Sequence, residues 1–276
     1  MAGGVLQGTP KILQDDELNM AFLNSIDGYF VKVKVLSLGI KRQFPLASII
    51  NKQGVRVFRN DIVGKTFHMD KYALEDLMNF QDVKVEIIRG YYYNEGRNPK
   101  IKKVIEFLFN ERLKKKAEKN PIQLVYKLVM NASYGRSILK PITTNEKVVD
   151  TTKDKDLFIQ KNYNKVICCN PMYGCDKWRI KLINPISNHF NNCVLGVECL
   201  SMSKRIMNEV MCLAEDNGLQ IYYQDTDSIH INYDDVAVLI SEYKNKYNRD
   251  LDGKQLGQFH IDFDLKDDDG NDCKDV

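Results

Sequence analysis

Two aspartates stand two residues apart in Tyr223-Gln224-Asp225-Thr226-Asp227-Ser228, between the triplets Ile221-Tyr222-Tyr223 and Ile229-His230-Ile231. The triplets favour strands, so the acidic string reads as the tip of a tight hairpin in which the carboxylates of Asp225 and Asp227 crowd one another. Carboxylates so close repel unless a divalent cation neutralises them, and oxygen ligands of near-octahedral geometry suit Mg²⁺. A bare Asp-Thr-Asp is also an ordinary solvated turn, since Asp and Ser are common turn formers. What accompanies the string therefore decides its meaning. Lys127 and Asn131 are four residues apart and Asn131 and Tyr134 three, so all three share one face of a helix running to Gly135. Arg112 and Lys116 repeat the four-residue spacing one helix earlier. There the guanidinium offers a two-pronged donor and the ammonium a point charge.

The elements that must hold these groups follow from hydrophobic period. Tyr29–Val35 and Val83–Ile88 alternate and predict strands, the second ending at Gly90. Residues 42–68 predict short strands and turns broken at Gly54 and Gly64, and Asp70–Met78 a short helix. Ile101, Val104, Ile105, Leu108 and Phe109 recur at helical spacing, a pattern that stops at Asn120-Pro121. Ile122, Val125, Leu128 and Val129 carry a second helix to Gly135, and the short break predicts an antiparallel helical hairpin. Residues 141–192, rich in Thr, Asn and Asp, predict irregular structure. Leu195–Ala214 predicts a helix closed by Asn217-Gly218, followed by the acidic hairpin.

Composition bounds the function classes. The chain of 276 residues is 43% hydrophobic and 28% charged, as in globular proteins. No run of 18 apolar residues predicts a membrane span, and the N-terminus lacks a basic region followed by an apolar one, so an intracellular location is expected. Seven cysteines without a CxxC pair point to free thiols in a reducing compartment, with a zinc site near Cys168, Cys169 and Cys175 as the alternative. Net charge is only +3, but residues 97–140 hold twelve Lys or Arg against three Glu, a possible phosphate footprint or a solvated helix face. The stretch 262–276 is the opposite, with seven Asp against two Lys.

Tyr223-x-Asp225-Thr226-Asp227-Ser228 resembles motif C of the family-B DNA polymerases. Lys127-Leu-Val-Met-Asn131-Ala132-Ser133-Tyr134-Gly135 resembles motif B of the same family, K-x-x-x-N-S-x-Y-G, with Ala132 where Ser is usual. The resemblance implies an α+β fold: a polymerase palm, a small antiparallel sheet backed by helices, with a two-helix fingers hairpin. It implies template-directed addition of dNTPs to a primer 3′ end with two Mg²⁺ ions. Asp227 would ligate both ions and Asp225 would support them. Tyr223 and Thr226 would approach the primer end, and Gly135 and Arg136 the DNA. Lys127, Arg112 and Lys116 would meet the triphosphate, with Asn131 and Tyr134 at the nascent base pair. Asp227 is expected on the sheet in a cleft facing Lys127. The implied division is a palm segment with an insertion over residues 1–96, fingers over 97–135, a connection over 136–195 and the metal-binding palm over 196–263. An acidic end, 264–276, follows.

Phe67–Tyr93, Ser201-Met202-Ser203-Lys204-Arg205 and Leu256–Phe263 also have counterparts in viral, linear-plasmid and organellar members. The long connections at 27–95 and 136–195 are similar to those of protein-primed members, which implies a terminal priming protein as partner beside primer–template DNA and dNTP. Motif A, D-x-x-S-L-Y-P, has no match; Asp27-Gly28-Tyr29-Phe30 lacks its Ser and Pro. An exonuclease domain, motif A and a thumb are expected on other segments, with this chain an interior piece inactive by itself. The alternative is a fragment that binds DNA or nucleotide without chemistry. A reverse transcriptase would place two aspartates side by side, which Asp225-Thr226-Asp227 does not.

Overall fold

The computed structural model describes residues 4–185 and 191–261. The acidic stretch 262–276, with Asp262, Phe263 and the expected boundary at 264, lies outside the described residues. The first half runs β1 (Val5–Leu6), β2 (Lys11–Ile12), α1 (Met20–Asn24), β3 (Gly28–Leu38), β4 (Ser48–Ile50), β5 (Arg56–Phe58), β6 (Thr66–Asp70), α2 (Lys71–Gln81), β7 (Val83–Tyr93) and β8 (Arg97–Asn98). Next come α3 (Lys100–Ala117), α4 (Gln123–Ile138), β9 (Thr144–Val149), α5 (Thr152–Lys161), β10 (Val166–Pro171) and β11 (Trp178–Ile183). The last elements are α6 (Cys193–Asp216), β12 (Ile221–Asp225), β13 (Ser228–Ile231) and α7 (Tyr233–Tyr247). The chain forms two compact units, one from residues up to Val104 together with those from Val197 on, the other from Ile105–Gly196.

In the first unit β2-β7-β3-β6 make an antiparallel sheet. The alternation predicted for β3 points Tyr29, Val31, Val33 and Val35 inward, where all four are buried. They meet Leu23 and Ile26 from α1 and its turn, and Leu74 and Leu77 from α2. β7 does not end at Gly90 as expected but continues to Tyr93. A Cβ there would meet the Phe30 carbonyl oxygen at 2.6 Å, so the glycine admits close strand packing rather than ending the strand.

A second core lies under the acidic hairpin. Met207, Val210, Met211 and Ala214 of α6, Ile221 of β12, and Leu239 and Tyr243 of α7 form one buried cluster. α6 serves both cores, because its Cys212 faces the α2 side. The helix ends as predicted: Leu219 N–H donates to the Ala214 carbonyl, Gly218 N–H to that of Glu215, and Gly218 has φ 70°. α7 forms over Tyr233–Tyr247, where no element was expected.

Polar side chains of α6 tie the first unit together. Arg205 donates to Asp76 and Glu75 of α2 at 2.5 and 2.9 Å, and Asn208 donates to Asp76 at 2.8 Å. Arg42 reaches Asp216 at 2.5 Å and the Phe80 carbonyl at 2.8 Å. Burial pushes the Cys212 thiol up to about 12, against the Arg42 charge that lowers it. The six cysteines among the described residues are free thiols, and among those residues no cluster of three or more His, Cys, Asp or Glu could hold a metal. No helix among the described residues is long and apolar enough to cross a membrane.

The second unit corrects the expectation of irregular structure over 141–192. β10-β11-β9 form an antiparallel sheet, with α5 between β9 and β10. Trp178, Ile180 and Leu182 alternate with Arg179 and Lys181 in β11, and Ile180 and Leu182 are buried; the alternation spans only five residues of a polar stretch. α3 and α4 form where the helical period places them, and α4 runs past Gly135 to Ile138. Most of their half-buried positions fall on one face each: Ile101, Ile105, Leu108, Arg112 and Lys115 on α3, and Gln123, Tyr126, Met130 and Tyr134 on α4. The periodic apolar residues Val125, Leu128 and Val129 of α4 face solvent instead.

Candidate functional site

β12 and β13 pair Tyr223 with His230, Gln224 with Ile229 and Asp225 with Ser228, which leaves Thr226-Asp227 as a two-residue loop. Thr226 has φ 45°, a conformation that costs a β-branched residue about 1–2 kcal/mol. Its hydroxyl donates to Asp225 Oδ1 at 2.9 Å, and the Ser228 hydroxyl donates to the Asp225 carbonyl at 3.1 Å. Both carboxylates are exposed at the tip. Asp227 is thus at the hairpin tip, where the spacing predicts it, in the loop rather than on a strand of the sheet. The hairpin is a separate two-stranded sheet whose apolar side, Ile221, Ile229 and Ile231, rests on α6 and α7. Tyr223 packs edge-to-face on His230 with ring centroids 5.3 Å apart, and over half of its surface is exposed beside the turn.

Two carboxylates in one tight turn match a hard divalent ion in kind. They fall short in number, since such ions take six or more oxygen ligands. Within its own unit the hairpin can therefore supply part of a metal site.

On α4, Lys127 and Asn131 are exposed on neighbouring turns, with the half-buried Tyr134 one turn on. Among the described residues neither the Lys127 nor the Asn131 side chain has a partner. Gly135 sits in the interior of α4, where glycine costs about 1 kcal/mol relative to alanine. A Cβ at Gly135 would meet nothing within 4 Å, so the fold itself does not call for a glycine there. Gly196 differs: a Cβ would lie 1.7 Å from Ile138 Cγ2, and close packing requires it. Arg112 is half-buried, its Nε out of solvent and without a hydrogen-bond partner, while Lys116 and Arg136 are exposed.

The basic stretch is not one uniform footprint. Lys114 pairs with Glu111 at 2.6 Å and Lys115 with Glu118 at 2.8 Å, as solvated helix-face pairs do. Arg97 is bound internally to Glu198 at 2.8 Å. Arg112, Lys116, Lys127, Arg136 and Lys140 have no anionic partner among the described residues. Sequence reasoning missed Glu198, Asp76 and Arg42 as organising residues; a charged side chain on a strongly apolar helix, as at Glu198, was the signal available.

Comparison with known proteins agrees with the family resemblance. The family described as DNA polymerase type B, organellar and viral, matches residues 45–244, most of the chain and both motifs. The DNA polymerase of Acidianus bottle-shaped virus (isolate Italy/Pozzuoli) is 44% identical over 55 residues, 19% of this chain and 8% of that protein. Phi29 DNA polymerase in its orthorhombic crystal form shares the fold with a TM-score of 0.51 at 16% identity, over 82% of this chain and 35% of that one. The chain thus spans about a third of that solved structure and less than a tenth of the viral relative. By the extent of the family match, this chain belongs to the type-B DNA polymerases of the organellar and viral branch.

Proposed function

We propose that this chain carries the nucleotide-binding and metal-binding segments of a DNA polymerase that adds dNTPs to a primer 3′ end, directed by a template. In this reading α3 and α4 are the fingers, and α6, α7 and the acidic hairpin belong to the palm. The observation that carries it is the pairing of two structures in one family member. One is a strained, exposed Asp225-Thr226-Asp227 turn on a buried base; the other is a helix presenting Lys127 and Asn131 without partners.

Asp227 and Asp225 would hold Mg²⁺ together with a carboxylate from a D-x-x-S-L-Y-P segment outside these residues. Bound there, the ions supply Lewis acidity to the primer 3′-hydroxyl and the leaving pyrophosphate. Lys127 and Lys116 neutralise triphosphate oxygens as point charges, and Arg112 offers them a fork. Asn131 and Tyr134 form a polar and an aromatic surface for the nascent base pair. Gly135, bare toward solvent, lets the template backbone approach, with Arg136 beside it. Tyr223 and Thr226 flank the turn where the primer end must lie. Primer–template DNA and dNTP are then the substrates. A terminal priming protein is the further partner, and the long segments 27–95 and 136–195 support a protein-primed mode.

Primer extension in Mg²⁺ tests the reading. The 276-residue chain should not extend a primer by itself, and adding a polypeptide that bears D-x-x-S-L-Y-P should give extension. Robust extension by the pure chain would remove the need for a second carboxylate source. No extension with any added segment, together with retained dNTP binding, would favour a nucleotide-binding fragment without chemistry.

A further inference from the structure

Arg97 lies in β8, just before α3, and Glu198 lies in the second turn of α6. The chain leaves the first unit inside α3, after Val104, and returns to it inside α6, at Val197. Arg97 and Glu198 therefore flank both passages of the chain, on the first unit's side.

Their side chains form a fork: Arg97 Nη2 donates to Glu198 Oε1 at 2.8 Å and Nη1 to Oε2 at 3.4 Å. The guanidinium also donates to the carbonyls of Asp27 at 3.1 Å and Gly4 at 3.2 Å. The Asp27 carboxylate accepts the Gly96 N–H at 2.7 Å, which fixes the turn that delivers Arg97. The guanidinium lies 5.9 Å from the Tyr72 ring centroid, and the Arg205 guanidinium lies 4.9 Å from the same ring. Glu198 is 5% exposed on a helix with ample apolar surface. A desolvated, forked pair is directional, and losing one partner strands the other. Such a pair is a costly way to gain stability where an apolar contact would serve, and its place at both passages gives it another use.

We propose that Arg97 and Glu198 are positioning residues whose ion pair holds the bases of α3 and α6 together where both helices leave the first unit. The pair thereby orders the first unit's share of each helix, at the points where the chain leaves that unit and returns to it. It stands on its own geometry and does not rest on the polymerase reading.

Hydrogen–deuterium exchange on the full chain tests this. Glu198→Gln keeps the shape of the side chain and removes its charge. The hydrogen-bonded amides at 104–107 and 197–202 should then exchange roughly tenfold faster, while the β3–β7 ladder exchanges as in the wild type. Arg97→Lys, which keeps the charge without the fork, should give a smaller rise at the same amides. If Glu198→Gln does not fold, Arg97→Lys is read by the same criterion. Unchanged exchange at both helix bases overturns the proposal. A uniform rise that includes the β3–β7 ladder also overturns it, because the pair would then serve general stability alone.

Discussion

The acidic hairpin rests on a closed core in which Ile221 is 2% exposed, whereas α3 buries no residue and α4 buries only Ser137. Metal ligands have to be held within tenths of an ångström of a productive arrangement, and a base packed between α6 and α7 would serve that task if Asp225 and Asp227 are such ligands, as proposed. Cations that grip a polyphosphate have a different task, to approach the substrate and to release its product. Helices with solvated faces and few interior contacts suit it. On the proposed polymerase reading, the two regions divide tight packing and solvated presentation between metal binding and triphosphate capture.

The sharpest way to break this division is a kinetic split. In a chain supplied with a D-x-x-S-L-Y-P segment, Asp227→Ala should lower kcat about 10³-fold, as the loss of about 4 kcal/mol of metal-borne stabilisation would. KM for dNTP should stay near its wild-type value. Lys127→Ala should instead raise KM for dNTP roughly 10- to 100-fold, the about 1.5–3 kcal/mol of a hydrogen bond to a charged group. Steady-state kinetics over dNTP concentration reads both. If the two variants shift kcat and KM alike, the hairpin and the helix do not have separate tasks.

A second prediction concerns order of unfolding. The single tryptophan, Trp178, lies in β11 of the second unit, with Lys155 Nζ 4.3 Å from its ring centroid. Among the described residues of that unit only Ile180 and Leu182 are buried hydrophobics, while three clusters fill the first. Tryptophan fluorescence in urea should therefore change at a midpoint about 1 M below the main far-ultraviolet circular dichroism transition. Coincident midpoints would show one cooperative unit and sink the contrast.

The same contrast explains what could be read from the sequence. β3 and α6 were legible because each buries a whole face, which forces a period of two or of 3.6 on the chain. The turn at 225–228 was legible because two apolar triplets flank residue types that favour a tight turn. The sheet β9-β10-β11 was not, since Thr144–Val149 and Val166–Pro171 are mostly exposed and leave polar residues free to vary along them. β7 was cut short because a glycine admitted for close packing looks, in sequence, like one that ends a strand. The internal role of Arg97 was not legible, because no local pattern in the sequence displays a partner 101 positions away.

The smallest effect tests the hairpin itself. Thr226 holds φ 45°, which Asn adopts more readily than a β-branched residue. Thr226→Asn should remove about 1–2 kcal/mol of backbone strain. It should give back about 0.5–1 kcal/mol with the exposed hydrogen bond from the Thr226 hydroxyl to Asp225 Oδ1. The net gain, about 0.5–1 kcal/mol, should raise Tm by roughly 2 °C for a chain of this size. Strain kept at an exposed tip, where a better residue is one substitution away, is what a position selected for contact rather than for folding would show. A lower Tm for Thr226→Asn would mean that threonine is the residue the turn prefers, and the strain would then say nothing about function.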